Sequence, residues 1–183
     1  FIRYLMKKLP IILRPKYIND LIRLGDNMDG GYVLKSQMAE DCKNLISLGL
    51  GDNFSFEKEL KKRNSKIKIV VYDHSINFFF WIKHFFFWLW HSIRFRKLSL
   101  KFLSFVDYII FFKIKKNIHN KIKISKNYSI SQIIEKYQIK PEETIVKIDI
   151  EGAEYQILDK LIIYDFLGLL IEFHYLDKNL NKV

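Results

Sequence analysis

Four short apolar runs in this chain end in glycines or in residues that can bind and exchange protons. The runs and their last residues are NLISLGLG (44–51) with Gly49 and Gly51, KIKIVVYD (66–73) with Asp73, TIVKIDIE (144–151) with Asp149 and Glu151, and GLLIEFH (168–174) with His174. Carboxylates and imidazoles can accept a proton or hold a cation, and glycines let a backbone approach a ligand closely. The pattern predicts a ligand site where the runs end. The alternative is that the charges only mark where each run reaches solvent.

The runs have the length of strands, and helical stretches separate them. Three runs are rich in β-branched residues and lack helical periodicity, which favours buried strands. The helical stretches are 53–63, which Asn53 can cap, 129–139, which Pro141 stops, and 153–163. Strands that alternate with helices predict an α/β fold with a mostly parallel sheet. Such sheets bind ligands beyond the carboxyl ends of their strands.

The first two runs carry features of a nucleoside site. Gly49-x-Gly51 follows a predicted strand and opens a helix, whose free N–H groups can bind a ligand. Asp73 follows Gly51 by 22 residues, a spacing at which an acid commonly accepts hydrogen bonds from ribose hydroxyls. Asp52 and Glu57 would repel a pyrophosphate and favour a ligand with a ribose and a positive centre, such as S-adenosylmethionine. A tight turn with an exposed acid is the alternative.

The last two runs supply residues for chemistry on a substrate. We expect Asp149 to lie near the cationic end of the ligand and to share a face with Glu151 if the strand stays regular. His174 could take a proton from a substrate hydroxyl, and a structural histidine bonded to the backbone is the alternative. Glu154 begins a predicted helix, where the helix dipole explains an acid.

Composition narrows the classes of protein. The 183 residues suffice for one domain, and the net charge of +11 comes from 25 lysines and only 6 arginines. Nucleic-acid readers usually depend on arginine, so a nucleic-acid partner is not expected. The lysine excess reflects either an AT-rich genome or attraction to anionic lipid or acidic glycan. Cys42 is the single cysteine, which excludes an internal disulfide and a thiolate zinc cluster and fits a cytoplasmic protein.

Residues 78–112 form a segment of extreme aromatic density that Lys83, His84 and Asp107 interrupt. The first apolar part, 78–90, is short and contains Lys83 and His84, and the second is interrupted by Asp107. Neither reaches the roughly 20 residues of a membrane-spanning helix. We expect an inserted helical pair that covers a core or forms a lid. Peripheral contact with a membrane surface and a base-stacking surface are the alternatives.

Four blocks of this sequence resemble the FkbM-type branch of class I S-adenosylmethionine-dependent methyltransferases. They are, in order, LISLGLGDNFSFE, VVYDHS, IVKIDIEGAEYQIL and LLIEFH. The block RLGDNMDGGYVL (23–34) resembles the segment that precedes the first strand in some members. The resemblance covers residues 23–77 and 127–176 and omits 78–112. It implies a Rossmann-like sheet of seven strands, of which we expect the C-terminal strands to be missing here.

The resemblance divides a single methyltransferase-like domain into four segments. These are an N-terminal lead-in (1–43), the first cofactor-binding βαβ part (44–77), an aromatic and basic insert (78–126), and the second half of the domain (127–183). It also implies O-methylation of a hydroxyl on a sugar, a surface glycan or a related metabolite, with S-adenosylmethionine as cofactor. We assign no metal-binding residue, and a metal requirement stays open.

The resemblance assigns roles to individual residues. By position, Gly49, Gly51 and Asp73 would hold the cofactor, and Asp149 would lie between its methionine end and the acceptor. We also expect Asp52 and Glu151 to contact the cofactor. His174 or Asp149 would remove the proton of the acceptor hydroxyl, and the lead-in residues Asp29, Gly30 and Gly31 would close over the site.

Two other classes of function stay open. Asp149 and Glu151 could hold a divalent ion that grips the diphosphate of a nucleotide sugar, as in a metal-dependent glycosyltransferase. The chain could also be a non-enzymatic protein that binds a membrane or RNA through its basic aromatic insert.

Overall fold

The predicted α/β fold is confirmed by a computed structural model that describes residues 14, 16–27, 29–95, 103–125 and 128–179. Its strands are β1 (Leu21–Leu24), β2 (Tyr32–Lys35), β3 (Asn44–Leu48), β4 (Lys68–Tyr72), β5 (Ile118–Asn120), β6 (Thr144–Ile148) and β7 (Gly168–Ile171). Its α-helices are α1 (Ser36–Asp41), α2 (Ser55–Arg63), α3 (Phe78–Arg94), α4 (Ser104–Ile109), α5 (Ile130–Tyr137), α6 (Leu158–Leu161) and α7 (Leu176–Asn179).

A five-stranded parallel sheet organises the fold, with strand order β5-β4-β3-β6-β7. Ile46 in the central strand β3 faces Val70 of β4 on one side and Val146 of β6 on the other. The chain thus builds outward from β3 in one direction and then returns to build in the other. This reversal between β3 and β6 makes the sheet Rossmann-like and places a crevice beyond the ends of these two strands.

Alternate residues of the central strands fill two separate cores. On one face, Leu45 and Val71 pack with Phe56 and Leu60 of α2. On the other face, Ile46, Val70 and Val146 belong to the cluster that contains Ile133 of α5 and Leu161 of α6. Because side chains of a strand alternate between the faces, burial on both sides explains why these runs are continuously apolar.

The structure corrects several predicted elements. Strand β5 lies inside the predicted insert, and its sequence Ile-His-Asn is too short and polar to show a strand pattern. The predicted helix 153–163 is instead a 3-10 turn, Glu154–Gln156, followed by the short α6. Helix α2 begins at Ser55, so Asn53 does not occupy its N-cap position, although its Oδ1 accepts a hydrogen bond from Ser55 N. Strands β1 and β2 form a separate antiparallel hairpin in the lead-in.

The aromatic insert contains two helical parts with different environments. Helix α4 continues into a π-helical turn, Ile110–Ile114, whose Phe111 and Phe112 enter the core. Helix α3 buries Trp81 but exposes most of its aromatic side chains, including Phe79 at 71%. Among the described residues, no helix combines the length and apolar character that crossing a bilayer requires.

Some predictions concern residues outside the described ranges. They include the start of the lead-in (1–13) and part of the insert (96–102).

Candidate ligand site at the carboxyl edge of the sheet

The loops after β3, β4 and β6 meet around a cavity of about 170 Å³ at the carboxyl edge of the sheet. Four of the predicted site residues line it: Gly49, Asp73, Asp149 and Glu151. His74, Lys123 and Ile124 belong to the same lining. The cavity lies at the reversal of strand order, where parallel sheets of this kind bind ligands.

Asp73 holds the loop that follows β3. Its Oδ2 accepts hydrogen bonds from the backbone nitrogens of Leu50 at 2.8 Å and Gly51 at 3.1 Å. Its Oδ1 accepts hydrogen bonds from the backbone nitrogen of Ser75 at 2.7 Å and the Ser75 hydroxyl at 2.6 Å. Burial raises the pKa of this carboxyl, but the four hydrogen bonds outweigh it and set the pKa below the ordinary value. Asp73 therefore shapes the glycine loop.

The structure favours glycine at positions 49 and 51 on different grounds. Gly49 has a φ of +84°, and a Cβ there would overlap the carbonyl oxygen of Asp149, because the turns after β3 and β6 touch. Gly51 has a φ of +61°, but a Cβ there would make only an ordinary van der Waals contact with Asn53 N at 4.0 Å. The close approach at Gly49 is thus between two backbones of the protein, and Gly51 supplies an N–H group to Asp73.

Asp149 belongs to a cluster with Glu172 and His174, in which one ligand atom of each lies within 4.8 Å of the others. The hydroxyl of Tyr32 lies 3.2 Å from Asp149 Oδ2 and 3.3 Å from Glu172 Oε2 and can donate to either. Burial, reinforced by the two carboxylates, raises the pKa of Tyr32 far above its usual range, so the hydroxyl keeps its proton. Neither Tyr32 nor Glu172 was among the predicted site residues.

Glu151 reaches the same histidine from a turn. The strand ends at Ile148, and Glu151 has a left-handed φ of +53°, so the regular strand expected to align it with Asp149 is not formed. His174 Nε2 nevertheless lies 3.4 Å from Glu151 Oε2 and 3.9 Å from Asp149 Oδ1. The turn after β6 thus brings both acids to one imidazole.

Glu154 ties the loops after β6 and β7 together. It is fully buried, and its carboxylate accepts hydrogen bonds from Gly152 N at 2.8 Å and His174 N at 2.6 Å. His174 Nδ1 lies 3.4 Å from Glu154 Oε1. The helix dipole does not explain this residue, because its carboxylate serves two loops. A helix-start position in the sequence gives no sign of such a role.

Two acids at the start of α2 lie away from the cavity. Glu57 is buried and pairs with the buried Lys147, whose Nζ lies 3.1 Å from Glu57 Oε1, and the Ser47 hydroxyl donates to the same oxygen. Asp52, a predicted cofactor contact, instead lies 3.1 Å from His84 of α3 and lines a separate cavity of about 620 Å³. The expectation that Glu57 faces the ligand is wrong, since its charge is neutralised inside the core.

The lead-in residues pack at the start of α2. Asn53 Nδ2 donates to the carbonyl oxygen of Asp29, and the Ser55 hydroxyl donates to that of Gly30. Asp29 lines the larger cavity together with Asp52, whereas Tyr32 is the lead-in residue that reaches Asp149.

The chain matches no protein-family model, no curated protein and no solved structure.

Proposed function

We propose that this protein is an S-adenosylmethionine-dependent O-methyltransferase that acts on a hydroxyl of a sugar, a surface glycan or a related metabolite. The observation that carries the proposal is the convergence of three loops on one cavity. The loop of Gly49 and Gly51, the acid Asp73 and the acid Asp149 come from neighbouring parallel strands and meet where the strand order reverses. This place suits a nucleoside cofactor.

The electrostatics of the cavity favour a cofactor with a positive end. Asp73, Asp149 and Glu151 line the cavity together with one lysine, Lys123. Glu154 and Glu172 lie near His174 outside that lining. An excess of carboxylates attracts a cation and repels the diphosphate of a nucleotide sugar. The sulfonium and ammonium groups of S-adenosylmethionine meet this requirement, and its ribose hydroxyls would exchange with the Ser75 hydroxyl at Asp73 Oδ1.

The proposed reaction needs one proton acceptor and accurate alignment. The acceptor oxygen attacks the methyl carbon of the sulfonium, the carbon–sulfur bond breaks, and S-adenosylhomocysteine leaves as a neutral thioether. The hydroxyl proton passes to Asp149, which lines the cavity, or to His174, whose Nε2 lies 3.9 Å from Asp149 Oδ1. Most of the acceleration comes from holding the oxygen and the methyl carbon in line.

Calorimetry with S-adenosylhomocysteine tests the proposal directly. We expect binding without added metal, and we expect Asp73→Ala to weaken it while Glu142→Gln, an exposed change at the amino end of β6, leaves it unaltered. Absence of binding to the folded protein would remove the proposed function. Binding of a UDP-sugar that requires manganese would replace it with the glycosyltransferase.

A second proposal concerns the surface of α3. Its exposed apolar residues include Phe79, Phe86 and Trp90, while the helix contains Lys83 and Arg94 and no acidic residue. Helices of this composition lie at membrane interfaces with their aromatic face among the lipid headgroups. We propose that α3 attaches the protein peripherally to an anionic membrane surface, where a glycan acceptor could be presented.

A further inference from the structure

We propose that Asp149, Glu172 and His174 form a binding site for a divalent first-row transition-metal ion. The inference does not depend on the proposed methyl transfer, since metal binding can be measured on the protein alone. An ion bound by Asp149 and His174 would take the place of these two groups as free proton acceptors. It rests on the type of ligands, on their mutual placement and on the groups that orient them.

The three side chains come from two neighbouring strands that hold them close together. Asp149 follows β6, and Glu172 and His174 follow β7, whose residues pair in parallel with those of β6. One ligand atom of each lies within 4.8 Å of the others. Ligand atoms on one ion lie about 3 Å apart when each metal–ligand bond is about 2.1 Å. Side-chain rotations that move these atoms by about 1–2 Å would therefore bring all three into bonding distance of one ion.

The imidazole is oriented as metal-binding histidines usually are. Nε2 of His174 faces the acids Asp149 and Glu151, whereas Nδ1 lies 3.4 Å from Glu154 Oε1. Glu154 is itself fixed by the backbone nitrogens of Gly152 and His174. In the present geometry Nδ1 makes no hydrogen bond, and a small rotation of the ring would let it donate to this buried carboxylate. A carboxylate in that position fixes the ring orientation of metal-binding histidines.

The two carboxylates of the proposed site also contact a tyrosine hydroxyl. The Tyr32 hydroxyl lies within hydrogen-bonding distance of Asp149 Oδ2 and Glu172 Oε2, and it can donate its one proton to either. Asp149 Oδ1, the oxygen nearer to His174, is then available to an ion. Partners of this kind are the usual outer support of a metal site.

The ligand set selects a class of ion. Two carboxylates with one imidazole and no thiolate suit Mn²⁺, Fe²⁺, Co²⁺ or Zn²⁺ better than they suit Ca²⁺, which is usually bound by oxygen atoms alone. The exposed Glu151 could supply a further oxygen. Asp149 and Glu151 also line the cavity, from which water or a substrate hydroxyl could reach the ion. A hydroxyl bound there would lose its proton more easily.

The test is titration of Mn²⁺ into the full chain, followed by electron paramagnetic resonance of free Mn²⁺ and by calorimetry. We expect one ion per chain, and we expect Glu172→Gln and His174→Asn each to weaken binding by at least about tenfold. Glu142→Gln makes the same chemical change as Glu172→Gln at the opposite edge of the sheet and should bind as the wild type does. Circular dichroism checks that each variant is folded.

Two outcomes would overturn the inference. One is no stoichiometric binding of Mn²⁺ or of Zn²⁺ by the folded wild-type chain, and the other is equal affinity in Glu172→Gln and Glu142→Gln. Titration of S-adenosylhomocysteine in the presence of a chelator separates this result from the proposed function. Metal binding without cofactor binding removes only the methyltransferase, and cofactor binding without metal binding removes only the metal site.

Discussion

The carboxylate of Asp73 binds the backbone of Gly51, with Oδ2 of the acid 3.1 Å from the glycine nitrogen. The two residues were predicted as separate contacts to one ligand, and they are in fact a single structural unit. The end of β4 holds the loop after β3, so the shape of the glycine loop depends on an acid from the next strand. The predictions below follow from this and related contacts.

Removing the Asp73 carboxylate should loosen the loop. Asp73→Ala leaves the nitrogens of Leu50 and Gly51 without their acceptor, which should lower the free energy of unfolding by about 1–3 kcal/mol. Urea denaturation measures the loss. Ser75→Ala removes only one of the four hydrogen bonds and should cost less; equal losses would mean that Asp73 does not hold the loop.

The same carboxylate should make stability depend on acid pH. The pKa of Asp73 in the folded protein lies below its ordinary value of 3.8, so the folded state favours the charged form. The unfolded chain then binds more protons, and the stabilisation is complete above the ordinary pKa and is lost as the pH falls through the lower folded value. Between about pH 5 and about pH 3, the wild type should therefore lose stability more steeply than Asp73→Asn. Parallel curves would contradict the depressed pKa.

The two glycines should respond differently to the same change. Gly51→Ala adds a methyl group that meets no clash, so it should lower the free energy of unfolding only by the strain of a left-handed backbone, about 1–2 kcal/mol. Gly49→Ala carries that strain and also forces the turns after β3 and β6 apart, since the new methyl would overlap the Asp149 carbonyl. Thermal unfolding compares the two. A Gly49→Ala variant as stable as Gly51→Ala would show that these turns do not touch.

Breaking the buried ion pair should cost more than replacing it. Lys147→Met leaves the charge of Glu57 buried without its partner and should destabilise the fold by about 3–5 kcal/mol. The double variant Lys147→Met with Glu57→Gln removes both charges and should recover much of this loss. A double-mutant cycle in urea measures the coupling. Additive losses would indicate that the two charges do not interact.

The exposed face of α3 should govern attachment to lipid. Replacing Phe79, Phe86 and Trp90 by serine should reduce sedimentation with vesicles that contain about 30% phosphatidylserine, because apolar insertion and anionic attraction act together. Ile162 and Ile163 are comparably exposed outside α3, and their replacement by serine is the control. Equal retention of both variants, or self-association of the wild type without vesicle binding, would contradict membrane attachment.

The sequence alone predicted four of the five strands of the parallel sheet and the edge at which the candidate site lies, and it missed β5. Residues such as Ile46 and Val146 lie in continuous apolar runs, because strands buried on both faces require them, and parallel strands bring their carboxyl ends to one edge. Placing glycines and acids at the ends of such runs therefore places Gly49, Asp73 and Asp149 around one cavity.

Only the tertiary structure decided what each acid contacts. Glu57 and Asp52 look alike beside the glycine loop, yet one neutralises Lys147 in the core and the other lies beside His84. Tyr32 reaches Asp149 across 117 residues of chain. Local sequence patterns report the periodicity and burial of neighbouring residues, whereas hydrogen bonds between distant loops depend on how the elements pack in space. The α/β fold could therefore be predicted from the sequence, whereas the contacts of its charged groups could not.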